Sequence, residues 1–225
     1  MKRSVIIVAG GKGHRMNAGI PKQFLLLGEE PLLMHTIRVF SQTYPGLPVI
    51  VALPPDQKQT WDQLCRDHAF NLPHRVTDGG ETRFYSVKNC LAVLPDEGWV
   101  AIHDGARPLV TCELIQRTFE EALLHGNAVP VLPVSESLRQ VTGDTHRPVN
   151  RQEFYLVQTP QVFATSFLKN AYDRDPLPEF TDDATVAEAA GATIHLFAGE
   201  RNNIKITLPE ELLLARMLFA GRRPH

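Results

Sequence analysis

The chain has 225 residues, of which 43% are hydrophobic and 21% charged, with a formal net charge of −2. Its length suits one α/β domain with a sizeable core. The near-neutral balance excludes a broadly basic nucleic-acid surface, so any anion site has to come from local clustering. Three scattered cysteines, Cys65, Cys90 and Cys112, are odd in number, which argues for a reducing compartment and against a zinc knuckle. The opening MKRSVIIVAGG carries an apolar run of about six residues, too short for a signal core or a membrane span. A cytoplasmic location without membrane or nucleic-acid partners is the expectation.

Apolar runs rich in Val and Ile recur along the chain: SVIIVA (4–9), PVIVAL (48–53), WVAIH (99–103), AVPVLPV (128–134) and ATIHLF (192–197). Continuous runs of this length suit strands buried on both faces. Helical segments lie between them. PLLMHTIRVFSQT starts on Pro31, a first-helical-position residue. TCELIQRTFEEALLHG has Thr111 as its N-cap candidate and ends on Gly126. TDDATVAEAAG closes on Gly191, and LPEELLLARMLFAG runs from Pro209 to Gly221. The alternation predicts a doubly wound, mostly parallel α/β sheet. Residues 135–158 break the rhythm with two alternating stretches around TGD, which reads as a hairpin arm projecting from a single domain.

The stretch VAGGKGHRMNAGIPKQ (8–23) follows the first run at once. Gly10, Gly11 and Gly13 let backbone amides approach an anion without Cβ interference. The pattern lacks the third glycine of a dinucleotide fingerprint, with Met16 in its place, and it lacks the G-K-[ST] of a Walker loop. That excludes a plain Rossmann dehydrogenase. Arg15 and Lys22 add a planar fork and a compact charge, both suited to phosphate oxygens. Lys12 is read as solvated. Asp104, just past WVAIH, is a carboxylate placed for a metal, a ribose or a substrate hydroxyl, and Arg107 is placed to orient it or to contact phosphate. His103 reads as a packed, hydrogen-bonded core residue.

The pattern G-G-x-G-x-R-M…P-K-Q resembles that of nucleotidyltransferases joining a nucleoside triphosphate to a phosphorylated sugar or alcohol. DGGETRFYSV (78–87), HDGARP (103–108), QTPQVF (158–163), TDDAT (181–185) and NIKIT (203–207) follow in order. Together they are similar to the 2-C-methyl-D-erythritol 4-phosphate cytidylyltransferase family over nearly the whole chain. The resemblance implies a Rossmann-like nucleotidyltransferase fold, transfer of CMP from CTP to the polyol phosphate, and release of pyrophosphate. Such a reaction joins two anions. Two unit charges 4 Å apart interact by roughly 4 kcal/mol at an effective dielectric of 20. Positive charge preorganised around the transferring group is therefore the main requirement. A phosphate monoester is mostly dianionic at pH 7 and needs no general base.

Carried over residue by residue, the resemblance makes Arg15, Lys22 and Lys205 the catalytic cations, with Lys205 expected on a short strand. Ala9, Gly10, Gly11 and Gly13 would cradle the nucleotide. Gly80, Glu81 and Ser86 would read cytosine, with Arg83 supporting their loop. Asp104 would contact the polyol and lie near Mg²⁺, directly or through water. Arg107, Ser137, Arg151, Thr159 and Thr181 would bind the polyol phosphate, with Asp182 a weaker candidate. Ser137, Arg151 and Thr159 are expected on an arm that reaches a partner subunit, so the resemblance implies a homodimer. Ser137 stands where the family usually has threonine, and Gly105 where alanine is common. Two other functions fit parts of the pattern: a ribitol-5-phosphate cytidylyltransferase, which shares several motifs, and a nucleotide-sensing module without turnover.

Overall fold

The computed structural model describes residues 1–10 and 20–221. In chain order its first half holds β1 (Arg3–Val8), β2 (Leu26–Leu27), β3 (Glu30–Pro31), α1 (Leu32–Thr43), β4 (Val49–Leu53), α2 (Lys58–Asp67), β5 (Arg75–Asp78), α3 (Arg83–Ala92) and β6 (Trp99–Asp104). The second half holds α4 (Cys112–His125), β7 (Asn127–Pro133), β8 (Leu138–Thr142), β9 (Thr145–Val149), β10 (Tyr155–Val157), β11 (Gln161–Ala164), α5 (Thr165–Tyr172), α6 (Asp183–Ala189), β12 (Leu196–Ala198) and α7 (Pro209–Ala220).

Among the described residues the main sheet has eight strands, ordered β10-β7-β11-β6-β1-β4-β5, with β12 added on β7. β5, β4, β1 and β6 form a parallel block, and β12 is parallel to β7. β11 and β10 run antiparallel. The expected doubly wound, mostly parallel sheet is the fold observed. Alternate residues of the block face opposite layers. Val5, Ile7, Val49 and Val51 pack under α1, α2 and α4 through Ile37, Phe40, Trp61 and Phe119. Ile6, Ile50, Val100 and Ile102 pack under α3, α5 and α6 through Phe84, Val87, Leu168 and Val186. Burial on both faces is why these strands read as unbroken apolar runs.

The predicted helix boundaries follow their physical causes. Thr111 caps α4 by accepting from the Leu114 N–H at 3.0 Å, and Gly126 ends it at φ 87°. Pro31 stands one residue earlier than expected, at the N-cap of α1 rather than inside it. ATIHLF is strand only from Leu196, so residues 192–195 are a correction. β5 is covered by none of the five apolar runs, because it is a short edge strand without a fully buried residue. β8 and β9 pair around Gly143 as the expected hairpin. Tyr155–Val157, inside the span read as the arm, belongs to the main sheet instead, paired with β7 at Val131–Pro133. No helix among the described residues is long and apolar enough to cross a membrane. Cys65, Cys90 and Cys112 are all unpaired thiols.

The parallel block also fixes where a ligand can sit. From β1 the chain moves outward through β4 to β5, then returns to the other side of β1 as β6. That reversal opens a crevice at the carboxyl ends of the strands. Val8, the last residue of β1, lies in register with Asp104, the last of β6.

Candidate active site

A cleft occupies this crevice. Ala9, Gly10, Lys22, Gly80, Asp104 and Lys205 are among the residues lining it, together with Gln23, Glu81, Arg83 and Ser86. Gly11, Gly13 and Arg15 lie outside the described residues.

Asp104 organises the floor. Its side chain is 10% exposed, and three cations from three segments meet it. Lys205 Nζ stands 3.0 Å from Oδ2, Arg107 Nε 3.4 Å from Oδ2, and Arg83 Nε 3.8 Å from Oδ1. Burial alone would raise the Asp104 carboxyl. Arg83, Lys205 and Arg107 outweigh burial and hold it well below the usual carboxylate range. The three cations thus favour the ionised form of Asp104.

Each cation is itself anchored. Arg83 donates to Asp183 Oδ2 at 2.5 Å. Asp183 is fully buried and also accepts from the Tyr172 hydroxyl at 2.7 Å. Arg107 donates to the carbonyls of Asn203 at 2.7 Å and Val157 at 3.3 Å. Three of its five N–H donors are thus directed at protein groups. The geometry matches the first of its two expected roles, orienting Asp104. Lys205 lies in an extended loop rather than on the expected strand. Asn203 Nδ2 donates to the Thr159 carbonyl at 2.8 Å, and the Ile206 N–H to the Ala106 carbonyl at 2.8 Å. These two fully buried flanks present the lysine between them to Asp104.

Lys22 begins a single 3-10 turn, Lys22–Phe24. Phe24 is buried against the Trp61 ring, and Gln23 donates to Gln57 Oε1 at 2.5 Å. The two residues after Lys22 are therefore fixed in the core while Lys22 lines the cleft. On the opposite wall the Gly80 N–H donates to Ser86 Oγ at 3.0 Å, and Ser86 donates to the Thr82 carbonyl at 2.9 Å. A Cβ on Gly80 would overlap Tyr85, so the turn requires glycine. Glu81 is exposed at its rim. At Gly105 an added Cβ would lie 3.2 Å from Ala9 Cβ, so the alanine common in the family would need a small shift here.

Four expected substrate contacts lie elsewhere. Thr159 is not on the arm. It sits behind Asp104, accepting the Asp104 N–H at 3.1 Å, with His103 Nδ1 at 3.1 Å from the same hydroxyl. Ser137 and Arg151 are exposed on the arm side, and neither lines the cleft of its own chain. Arg151 donates to the Ser135 carbonyl. Thr181 is exposed, one residue before Asp182, which caps α6 by accepting from the Thr185 N–H at 3.0 Å.

The model of the 2-C-methyl-D-erythritol 4-phosphate cytidylyltransferase family matches residues 4–220. The chain belongs to this family. It is 51% identical over 219 residues to the 2-C-methyl-D-erythritol 4-phosphate cytidylyltransferase of Bacteroides thetaiotaomicron, covering 97% of this chain and all of the relative. The enzyme of the same description from Geobacillus kaustophilus is 35% identical over 225 residues, with 99% of each chain covered. The crystal structure of the Thermus thermophilus enzyme superposes with a TM-score of 0.79 at 36% identity, covering 97% of this chain and 98% of the other. As a member of the cytidylyltransferase family, the chain is an enzyme that transfers CMP from CTP to 2-C-methyl-D-erythritol 4-phosphate in isoprenoid precursor synthesis.

What the motif resemblance missed in this family member is the depth of support behind Asp104. Arg83 and Asp183 sit 100 residues apart, and no local pattern announces their contact. His103 is the packed core histidine expected. Its Nε2–H donates to the Arg107 carbonyl at 3.1 Å, so Nδ1 accepts from Thr159. Burial lowers its pKa from 6.5 to about 4. The unfolded chain then binds this proton at a higher pH than the folded one, so acid favours unfolding. The stabilisation is complete above about pH 6.5 and fades as pH falls toward 4. Calorimetry from pH 7 to 4 should show a shallower fall in Tm for His103→Gln than for the wild type. Parallel slopes would remove His103 from the acid response.

Proposed function

We propose that Lys22, Lys205 and Arg15 form the cationic frame in which the polyol phosphate attacks the α-phosphorus of CTP and pyrophosphate leaves. One observation carries this reading: Lys22, Arg83 and Lys205 converge on a cleft at the strand carboxyl ends, with Arg83 and Lys205 set around the Asp104 carboxylate. Asp104 does not cancel the positive charge. It positions a larger number of cations than it neutralises. A cleft of that kind lowers the repulsion between two phosphate esters before any bond changes.

The nucleophile arrives deprotonated, so no base is needed. His103 is consistent with that, because both its nitrogens are engaged and it is held neutral. The Ala9 N–H is committed to the Ala52 carbonyl at 3.0 Å, so the amide cradle for the triphosphate starts at Gly10, with Gly11 and Gly13 assigned to it by their motif. Gly80, Glu81 and Ser86 read the base. The Ser86 hydroxyl donates once and accepts once within its turn, which leaves one lone pair to accept from an exocyclic amine. Cytosine presents such an amine.

Asp104 also fits a divalent cation with hard oxygen preference, Mg²⁺ first. Arg83 Nε is 3.8 Å from its Oδ1, too long for a hydrogen bond, so this oxygen keeps room for an ion. Phosphate oxygens and water would complete the coordination. The surrounding cations disfavour a metal alone, so ion and triphosphate enter together. Bound there, the ion supplies further charge neutralisation on the phosphates.

The polyol phosphate side rests on Thr181, Ser137 and Arg151, with Arg107 and Thr159 acting through Asp104. Ser137 and Arg151 sit on the arm, away from their own cleft, which supports a homodimer in which each arm serves the partner. β10 adds to this. Tyr155, Leu156 and Val157 are 43–58% exposed on a strand whose sole strand partner among the described residues is β7. An open apolar edge of that kind calls for cover. We read the chain as one catalytic domain with residues 135–158 as its arm. Three unpaired thiols suit the reducing cytoplasm.

Three experiments test these assignments. In a pyrophosphate-release screen, CTP with 2-C-methyl-D-erythritol 4-phosphate should turn over fastest. Faster release with ribitol 5-phosphate would reassign the acceptor, and CTP binding without release for any acceptor would point to a sensor. Lys22→Ala should lower kcat by roughly a hundredfold, more than it raises the CTP KM, because its charge acts in the transition state. Unchanged kcat with weakened CTP binding would make Lys22 a ground-state anchor. Mixed Lys22→Ala and Arg151→Ala proteins should regain activity after subunit exchange, since one site of each mixed dimer is intact. No regain would confine each site to one chain.

A further inference from the structure

Far from the cleft, at the amino end of β7, two imidazoles and a carboxylate come together. Glu121 and His125 are one turn apart on the last turns of α4, and His195 faces them from the loop before β12. His195 Nε2 lies 2.9 Å from Glu121 Oε2, and His125 Nε2 lies 3.5 Å from the same oxygen. The three ligand atoms are all within 4.8 Å of one another.

These separations have a chemical meaning. A zinc ion holds imidazole nitrogen and carboxylate oxygen at about 2.1 Å, so neighbouring ligand atoms of a tetrahedron stand about 3.4 Å apart. The two measured contacts bracket that edge. The donor set, two neutral imidazoles and one carboxylate, suits zinc and its borderline neighbours better than magnesium or calcium. The cluster also sits at the carboxyl end of α4, where the helix macrodipole favours a cation.

Two of the ligands share a helix at i, i+4 spacing, which places them on one face. The third is held by its backbone. The His195 N–H donates to Asn127 Oδ1 at 2.8 Å, and the His195 carbonyl accepts the Val129 N–H at 2.9 Å. Asn127 is buried and also donates to the Thr193 carbonyl at 2.9 Å. Residues 193–195 are thus clamped to β7, so the distance from His195 to α4 is set before any ion arrives. The two imidazole rings stack at 3.6 Å with planes 14° apart. In that stack their in-plane lone pairs run side by side, so one ring has to turn before both face the same ion. The His125 side chain is 45% exposed and can turn its ring to bring its lone pair onto an ion shared with His195.

We propose that Glu121, His125 and His195 form a divalent transition-metal site of the zinc class, with water in the fourth position, at the opposite end of the sheet from the reaction cleft. The ion ties the 193–195 loop to α4. It takes no part in CMP transfer, whose residues lie at the carboxyl ends of β1 and β6.

The test titrates Zn²⁺ into chelator-stripped, full-length protein without nucleotide, followed by calorimetry. Co²⁺ replaces it for visible absorption. One ion per chain is expected, with tetrahedral Co²⁺ bands, a higher Tm on loading and unchanged kcat for CMP transfer. His195→Ala and the exposed His125→Ala should each weaken Zn²⁺ binding roughly tenfold or more, by analogy with the losses seen when metal shells are disturbed. Both should keep wild-type kcat. Zn²⁺ binding of equal strength in wild type and both variants would overturn the proposal. So would the absence of stoichiometric uptake by the wild type.

Discussion

A single buried carboxylate with three cations around it sets the architecture of this chain. A carboxylate of low exposure is tolerated only when paired and hydrogen-bonded. Asp104 meets that condition by drawing in Arg83 from α3, Arg107 from the turn after β6, and Lys205 from the loop before α7. Those partners are tied in turn to Asp183, to Asn203 and to the Val157 carbonyl. Four stretches far apart in sequence, at Arg83, Val157, Asp183 and 203–205, are thereby held to the end of one strand. Loss of Asp104 would leave Arg83, Arg107 and Lys205 without the carboxylate they share, so the same residue that places the charges also makes their crowding possible.

The consequence for chemistry is preorganisation. Cations recruited from a solvated surface would have to shed water and side-chain freedom as the triphosphate arrived. Here Arg107 is buried, the partly buried Arg83 is held by Asp183, and Lys205 is presented between two buried neighbours. The reorganisation cost is met in folding rather than at each turnover. The family's reaction has no proton to abstract from its nucleophile at neutral pH, so the fold supplies charge and position, and its one strand-end histidine stays neutral inside the wall.

Much of this was legible in the sequence. Strands buried on both faces announce themselves as unbroken Val and Ile runs, and Thr111 and Gly126 mark the ends of α4 by capping chemistry alone. The motif residues Gly10, Lys22, Gly80, Ser86, Asp104 and Lys205, far apart in sequence, line one cleft. What escaped was second-order. β5 lacks a fully buried residue, so no apolar run reveals it. Lys205 between two isoleucines looks like a strand, yet its segment is extended by hydrogen bonds to loops and not by a ladder. Thr159 and Arg107 sit in motifs, and motif membership cannot separate a group that touches substrate from one that props up its neighbour. Hydrogen-bond capacity separates them: the Arg107 guanidinium and the Thr159 hydroxyl are largely used inside the protein.

That capacity argument reaches the assembly as well. The cleft of one chain offers Lys22, Lys205 and Arg83 on the side of β1, α3 and the final loop. Arg107 is turned inward to the carbonyls of Asn203 and Val157, and a second phosphate needs a cation that faces outward. Arg151 carries such a charge, but on an arm that extends past its own cleft, next to an uncovered apolar edge at Tyr155–Val157. One packing of two copies would answer both needs, covering the edge and delivering the guanidinium to the neighbour. A surface that buries apolar area and completes a charge set in the same contact couples assembly to activity. On the proposed reading, that coupling is why the arm departs from the α/β rhythm that the rest of the chain keeps.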